Sequence, residues 1–245
     1  MRQYKFGLVG RDISYSFSKR YFAEKFKQLG LENHSYVNFD LSEIEKFETL
    51  LPDHPEIKGL NVTIPYKQAI IPYLTRLDVT AERIGAVNTI KVEKGGLLGY
   101  NTDCYGFQKS IEFFLKEHHT RALILGTGGA SKAVAFVFEE LNIPYKFVSR
   151  NADKGQFSYD ELDKAILEKY TILVNCTPLG THPNVDQKPD IPYTYLNEKH
   201  LLFDLIYNPE KTAFLLEGEG RGATICNGQR MLELQAEEAW VIWNS

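Results

Sequence analysis

The segment from Gly59 to Lys67, GLNVTIPYK, runs an apolar β-type sequence (Leu60, Val62, Ile64) into Pro65 and then presents a lysine. Proline donates no backbone hydrogen bond and presets φ for a first helical turn, so the strand is predicted to stop at Ile64 and a short helix to begin. Lys67 is thereby fixed at the carboxyl end of a strand. Open α/β sheets meet their ligands there, and an ammonium in that place suits a small anionic or carbonyl substrate. A lysine by itself is usually a solvated surface residue, so its company matters. Ser16 and Ser18 alternate in ISYSFSKR, and in an extended segment both hydroxyls would face one side, able to hold a carboxylate; serines in such a loop also cap helices. Asn88 in GAVNTI lies in an otherwise apolar strand and needs hydrogen-bond partners there. Asp103 in GYNTDCYGF stands at a helix start, as an N-cap or as a catalytic carboxylate. Gln235 lies on the apolar stripe of the last helix, where its amide either pairs locally or reaches into a site.

A second set lies in the other half. Residues 121–131, RALILGTGGAS, join a buried strand, a glycine turn and a helix carrying Val134, Val137, Phe138 and Leu141 on one face. Gly126 permits the tight turn, Gly128 lets backbone approach a pyrophosphate, and the helix N-terminus offers free N–H groups to an anion. Ser131 takes the place of the third glycine in G-x-G-x-x-G. The next strand ends Val148-Ser149-Arg150-Asn151, with Lys154 shortly after. An acidic residue there would favour NAD, whereas an arginine accommodates the 2′-phosphate of NADP. Asp153 is the alternative partner for either cation.

These residues need elements to hold them. Strands are predicted at Tyr4 to Val9, Ser35 to Phe39 and Leu60 to Ile64, with helices between them, one marked by Phe22, Phe26 and Leu29 and another by a capping box at Ser42 and Glu45. Ala86 to Ile90 and Leu97 to Tyr100 read as a hairpin across Glu93-Lys94-Gly95-Gly96. A helix bearing Phe107, Ile111, Phe114 and Leu115 follows, and the polar stretch Glu117 to Thr120 is read as the domain boundary. Five strands with crossovers come next: Arg121 to Gly126, Tyr145 to Ser149, Thr171 to Cys176, Leu201 to Leu205 and Ala223 to Cys226, with a capping box at Ser158 and Glu161. They are short apolar runs, as a sheet covered on both faces requires. The chain closes on an amphipathic helix with Leu232, Ala236, Ala239, Trp240 and Trp243 on one stripe. The expected architecture is α/β in two domains with a cleft between them as the default site.

The 245 residues carry a net charge of −4, are 43% hydrophobic and show no basic block, which argues against a nucleic-acid partner. No run approaches a membrane span, and the N-terminus enters a strand pattern without a signal-peptide core. Cys104, Cys176 and Cys226 are odd in number and widely spaced, suiting a reducing cytoplasm, and the scattered histidines suggest no metal site.

NVTIPYK, GAVNT, NTD, GTGGAS, SRN, NCTPLG, DLIY and ML-x-L-Q, in this order, resemble shikimate dehydrogenase over nearly the whole chain. The resemblance implies a substrate-binding catalytic domain at 1–102, onto which a helix at 231–245 packs back, and a Rossmann-like, doubly wound NADP(H)-binding domain at 103–230. It implies reversible reduction of 3-dehydroshikimate to shikimate in aromatic amino acid biosynthesis, by a cytoplasmic monomer or homodimer. Lys67 and Asp103 then take the catalytic positions. Ser16 and Ser18 would hold the carboxylate, and Thr63, Asn88, Tyr207 and Gln235 the hydroxyls or ring. Gly126, Gly128, Gly129, Ala130, Ser149, Arg150, Lys154, Thr177, Leu205 and Gly228 would line the cofactor. The chain departs from the family at Tyr15, at Phe17 between the serines, at Cys104 and at Arg230, and it stops at Ser245 where many relatives continue with another helix. Two rival readings are a quinate/shikimate dehydrogenase, which would accept an extra ring hydroxyl, and a non-catalytic relative that senses a pathway metabolite.

Overall fold

The computed structural model describes residues 3–14 and 16–245; Tyr15 lies outside them. The chain divides into two compact units, one formed by Met1–Thr102 with Ala236–Ser245, the other by Asp103–Gln235.

In the first unit, strand β1 (Tyr4–Gly10) leads through helix α1 (Phe17–Gln28) to β2 (His34–Asp40), and helix α2 (Phe47–Asp53) precedes β3 (Ile57–Val62). A four-residue helix α3 (Tyr66–Ala69), β4 (Arg76–Leu77) and α4 (Val79–Ile84) come before the hairpin β5 (Thr89–Glu93) and β6 (Gly96–Tyr100). The sheet order is β2-β1-β3-β5-β6-β4, with β1 parallel to β2 and β3, and β5 antiparallel to β3 and β6. Alternation along β1 sends Phe6 and Leu8 to one face and Val9 to the other. Each face buries its own cluster: Phe22, Phe26, Tyr36, Ala236, Ala239 and Trp243 join Phe6, while Phe47, Leu50, Leu60, Val62 and Ile90 join Val9. Gly59, the first residue of the lysine motif, is there because the Trp243 indole occupies the space a Cβ would need. That indole also donates to the Ile90 carbonyl at 3.0 Å.

The second unit opens with helix α5 (Asp103–Ile111). It continues through β7 (Ala122–Leu125), α6 (Gly129–Glu140), β8 (Tyr145–Ser149), β9 (Phe157–Ser158), α7 (Lys164–Lys169), β10 (Ile172–Asn175), β11 (Leu201–Asp204), α8 (Ala213–Glu219) and β12 (Thr224–Cys226). Every pairing is parallel, in the order β12-β11-β10-β7-β8-β9, a doubly wound sheet whose direction of growth reverses beside β7. Helix α9 (Gln229–Asn244) begins in this unit and ends in the first.

Several local expectations are corrected. The strand of the lysine motif stops at Val62 rather than Ile64, and Pro65 follows a cis peptide bond as the N-cap of α3. Ser42 and Glu45 form no capping box: Glu43 caps a 3-10 turn at Ile44–Lys46 without a side-chain bond, and the Ser42 hydroxyl accepts from Lys46 Nζ at 2.9 Å. The box at Ser158 and Glu161 is present, but it caps the 3-10 turn Tyr159–Glu161, while Asp163 caps α7. The polar stretch at 117–120 does not separate the units. Helix α5 belongs to the second, because Phe107 packs edge-on against Phe138 and Phe203 with ring centroids 5.6 and 5.0 Å away.

Candidate active site

In the first sheet the chain runs from β1 outward to β2 and then returns to the other side at β3, so its growth reverses between β1 and β3. Such a point leaves a crevice at the carboxyl ends of the two strands. The serine loop follows β1 and the lysine motif follows β3. Backbone bonds tie the two exits together: Thr63 N–H donates to Val9 O at 2.9 Å and Arg11 N–H to Ile64 O at 3.2 Å. Lys67 is half-buried, and its carbonyl accepts from Val87 N–H at 2.7 Å, which joins the lysine segment to the segment carrying Asn88.

The serines are not on an extended strand. Ser16 is the N-cap of α1, accepting from Lys19 N–H at 3.2 Å, and Ser18 lies buried in the first turn. Of the two roles open to that loop, capping is realised at Ser16. Ser18 neighbours the Tyr36 hydroxyl and draws its pKa down, while burial pushes it far up. From Tyr36 a buried chain of neutral groups continues. Tyr36 donates to Asn61 Oδ1 at 2.8 Å, and Asn61 Nδ2 donates to Thr89 Oγ1 at 3.2 Å and to Asn88 O at 3.3 Å. Asn88 precedes β5 rather than lying within it, and it is satisfied on both sides of its amide: Nδ2 donates to Thr102 Oγ1 at 3.0 Å, and Oδ1 accepts from Thr102 N–H at 2.7 Å. Tyr36 and Asn61, which the sequence did not single out, hold the candidate Asn88 segment through these bonds. Asn61 carried the same signal as Asn88, a polar amide in an apolar run.

Asp103 is the first residue of α5 and is buried, inside the first turn rather than preceding it as a cap. Gln235 is buried on α9, and its amide donates to Leu232 O at 2.9 Å.

In the second sheet the reversal point lies between β7 and β10. Gly126 follows β7 with φ +102°, a left-handed conformation that glycine adopts without strain. Gly128 is the exposed N-cap of α6 and makes no side-chain bond, so the first N–H groups of a twelve-residue helix face an open approach; its first turn holds no acidic residue. The Ser131 hydroxyl turns back to donate to Gly128 O at 2.6 Å, leaving that approach clear. At the end of β8, Ser149 Oγ accepts from Asn151 N–H, while the Arg150 and Lys154 side chains are exposed. Among the described residues neither pairs with Asp153. A turn able to seat a pyrophosphate, followed one crossover later by two available cations, fits a dinucleotide bearing an extra phosphate. Thr177 follows β10, Leu205 and Tyr207 follow β11, and Gly228 precedes α9. Among the described residues no cluster of three or more His, Cys, Asp or Glu side chains is placed to hold a metal ion, and no helix is long and apolar enough to cross a membrane.

Residues 8–90 match the shikimate dehydrogenase substrate binding domain. The shikimate dehydrogenase (NADP(+)) of Clostridium botulinum is 35% identical over 250 residues, which cover 98% of this chain and 96% of the relative. The crystal structure of shikimate dehydrogenase 1 from Peptoclostridium difficile superposes with a TM-score of 0.86 at 37% identity, covering 99% of this chain and 92% of that one. The shikimate 5-dehydrogenase of Thermus thermophilus, solved in complex with NADP(H) and shikimate, gives 0.87 at 29% identity, covering 98% and 93%.

Proposed function

The chain belongs to the shikimate dehydrogenase family, and from that premise we propose that it reversibly reduces 3-dehydroshikimate to shikimate with NADPH, in the route to aromatic amino acids. The observation that carries this reading is the joining of three separated motifs in one buried network: Asn61 of NVTIPYK, Asn88 and Thr89 of GAVNT, and Thr102 of NTD. Residues 1–102 form the substrate-binding catalytic domain with the closing helix, and 103–230 the NADP-binding domain. The enzyme works in the cytoplasm as a monomer or homodimer, without nucleic-acid or membrane partners.

Ser16 and Ser18 hold the substrate carboxylate, and Thr63, Asn88, Tyr207 and Gln235 address its ring and hydroxyls. Gly126, Gly128, Gly129 and Ala130 present backbone to the pyrophosphate; Ser149, Arg150 and Lys154 seat the 2′-phosphate; Thr177, Leu205 and Gly228 flank the nicotinamide end. When bound, NADPH supplies the hydride that the ring carbonyl carbon accepts. Lys67 faces the carbonyl oxygen, stabilises the negative charge that develops there and gives it a proton, completing the hydroxyl. Asp103 orients the substrate hydroxyl and the lysine.

The direct test is an absorbance assay with purified protein and shikimate, NADP and NAD in parallel, with quinate as the competing substrate. Reduction of NADP by shikimate, and far less by quinate, is the expected result. Both ligands binding without any change in nicotinamide absorbance would overturn the reading in favour of a metabolite sensor.

A further inference from the structure

At the carboxyl ends of β10 and β11 lies a buried carboxylate that the reaction does not touch. Asp204 has no exposed surface, and neither have Asn175 and Thr212 beside it. Its Oδ1 accepts from Asn175 Nδ2 at 3.1 Å and from Ile206 N–H at 3.0 Å; its Oδ2 accepts from Thr212 Oγ1 at 2.6 Å. The donors come from the end of β10 and from both ends of the 205–212 loop. Asn175 in turn accepts, on Oδ1, both the N–H of Thr177 at 3.0 Å and its hydroxyl at 2.7 Å. Ile206 sits between Leu205 and Tyr207, and its carbonyl accepts from Gly228 N–H at 3.0 Å. Thr212 caps α8 and ends the 205–212 loop. On the other side, the Thr177 methyl would lie 3.1 Å from a Cβ placed on Gly126, so the same assembly reaches the glycine turn.

We propose that Asp204 is a positioning residue for NADP(H): its carboxylate, through Asn175, Ile206 and Thr212, sets the loops that carry Thr177, Leu205 and Gly228 against the cofactor. This rests on the assignment of those three residues to the cofactor above. An ionised carboxylate accepts from all three donors at once, whereas a protonated one, or an amide, must give up an acceptor position. Burial pushes its pKa up to about 6, against the three hydrogen bonds, which lower it. The titratable groups that feel its charge are Cys176 and Tyr193, and burial pushes both well up, so they stay neutral while Asp204 titrates.

The test compares wild type with Asp204→Asn, measuring NADPH affinity by fluorescence from pH 5 to 8 and steady-state KM for NADP and shikimate separately. Loss of one charge-assisted hydrogen bond predicts NADPH affinity weaker by about tenfold at pH 7.5, with the shikimate KM within about twofold at saturating NADP. Wild-type affinity should also fall more steeply below pH 6 than that of the variant. The 2′-phosphate titrates near pH 6 as well, but it does so in both proteins, so the difference between the curves belongs to Asp204. An unchanged affinity with parallel pH curves would overturn the proposal, as would equal losses for both ligands. Should Asp204→Asn fail to fold, Thr212→Val against Thr212→Ser decides: weaker NADPH binding in the valine variant alone supports it, and equal affinities overturn it. Arg150→Ala separates the two levels. If it leaves NADPH binding intact, the cofactor assignment itself fails; if it weakens NADPH while Asp204→Asn does not, only the positioning role fails.

Discussion

The two units each place a buried polar assembly behind the residues assigned to ligands, and they build it from opposite chemistry. In the first unit, Tyr36, Asn61, Thr89, Asn88 and Thr102 are neutral amides and hydroxyls, each satisfied by the next. In the second, one ionisable carboxyl gathers three donors from the end of β10 and the 205–212 loop. A neutral network is indifferent to pH and owes its order to complete pairing, since an orphaned buried polar group costs about 1–3 kcal/mol. A carboxylate attracts donors more strongly but resists burial, so its grip depends on its proton. The first kind suits a rigid frame for the ammonium proposed to face one carbonyl oxygen, and the second suits the loops proposed to receive a large anionic cofactor.

The sharpest way to test that division is to remove one side chain from each proposed ligand set. Lys67→Ala should lower turnover by ~10²–10⁴-fold, the usual range for positioned acid–base catalysis, with NADPH affinity retained. Arg150→Ala should weaken NADPH use far more than NADH use and leave the chemical step with NADH intact. Single-turnover rates and NADPH titrations on the two variants show the crossover; wild-type turnover in Lys67→Ala would remove the lysine from the mechanism, and equal losses with both cofactors in Arg150→Ala would remove the 2′-phosphate contact.

Asp204 gives a smaller effect with a definite sign. Its folded pKa of about 6 lies above its ordinary 3.8, so the folded state binds the proton more tightly. The associated stabilisation is fully present below about pH 4 and is lost as pH rises through about 6, amounting to about 3 kcal/mol. Burial lowers the pKa of His34, His119 (to about 4) and His200, which acts in the opposite sense: their contribution is full above about pH 6.5 and is lost as pH falls towards their folded values. The net wild-type curve therefore hides both, but the histidines cancel in the difference between wild type and Asp204→Asn. Denaturant melts from pH 4 to 7 should show wild type losing stability relative to the variant by up to that amount. A flat difference would mean that the carboxyl titrates normally and the contrast between the two assemblies is false.

Much of this was legible in the chain. The five main strands of the second unit came from short apolar runs, and the glycine turn lay where strand and helix patterns met. Lys67 and the cations Arg150 and Lys154 stood out because they follow the ends of apolar segments, and Asn88 because it is an amide within an apolar run. Less legible were features that depend on distant partners. The Ser16 and Ser18 alternation left both a carboxylate-holding pair and a helix cap open, because sequence spacing cannot show which serine finds the Lys19 N–H and turns the chain into α1. The two-residue strands β4 and β9 carry too few residues for any periodicity. Asp204 and Asn175 are likewise polar residues in apolar runs, each closing a strand, but only the 29-residue return of the chain brings Asn175 Nδ2 to the carboxylate.

The finest test of the contrast is a single oxygen in the neutral network. Tyr36→Phe removes the hydroxyl that donates to Asn61 Oδ1 and neighbours Ser18, leaving the ring stacked on Phe22 with centroids 4.7 Å apart. Because the packing survives, the loss should be close to that of one hydrogen bond, about 1 kcal/mol, plus whatever the unpaired Asn61 oxygen adds. The phenol is neutral throughout the working range, since burial pushes its pKa far up, so the loss should be the same at pH 5 and pH 8. Without that polar neighbour, Ser18 should hold the carboxylate less well, raising the shikimate KM several-fold while NADPH affinity stays at the wild-type value. A loss that varied between pH 5 and 7, or one that appeared in NADPH binding, would mean that the two assemblies are not separately tuned and that the neutral network is not the substrate side's own frame.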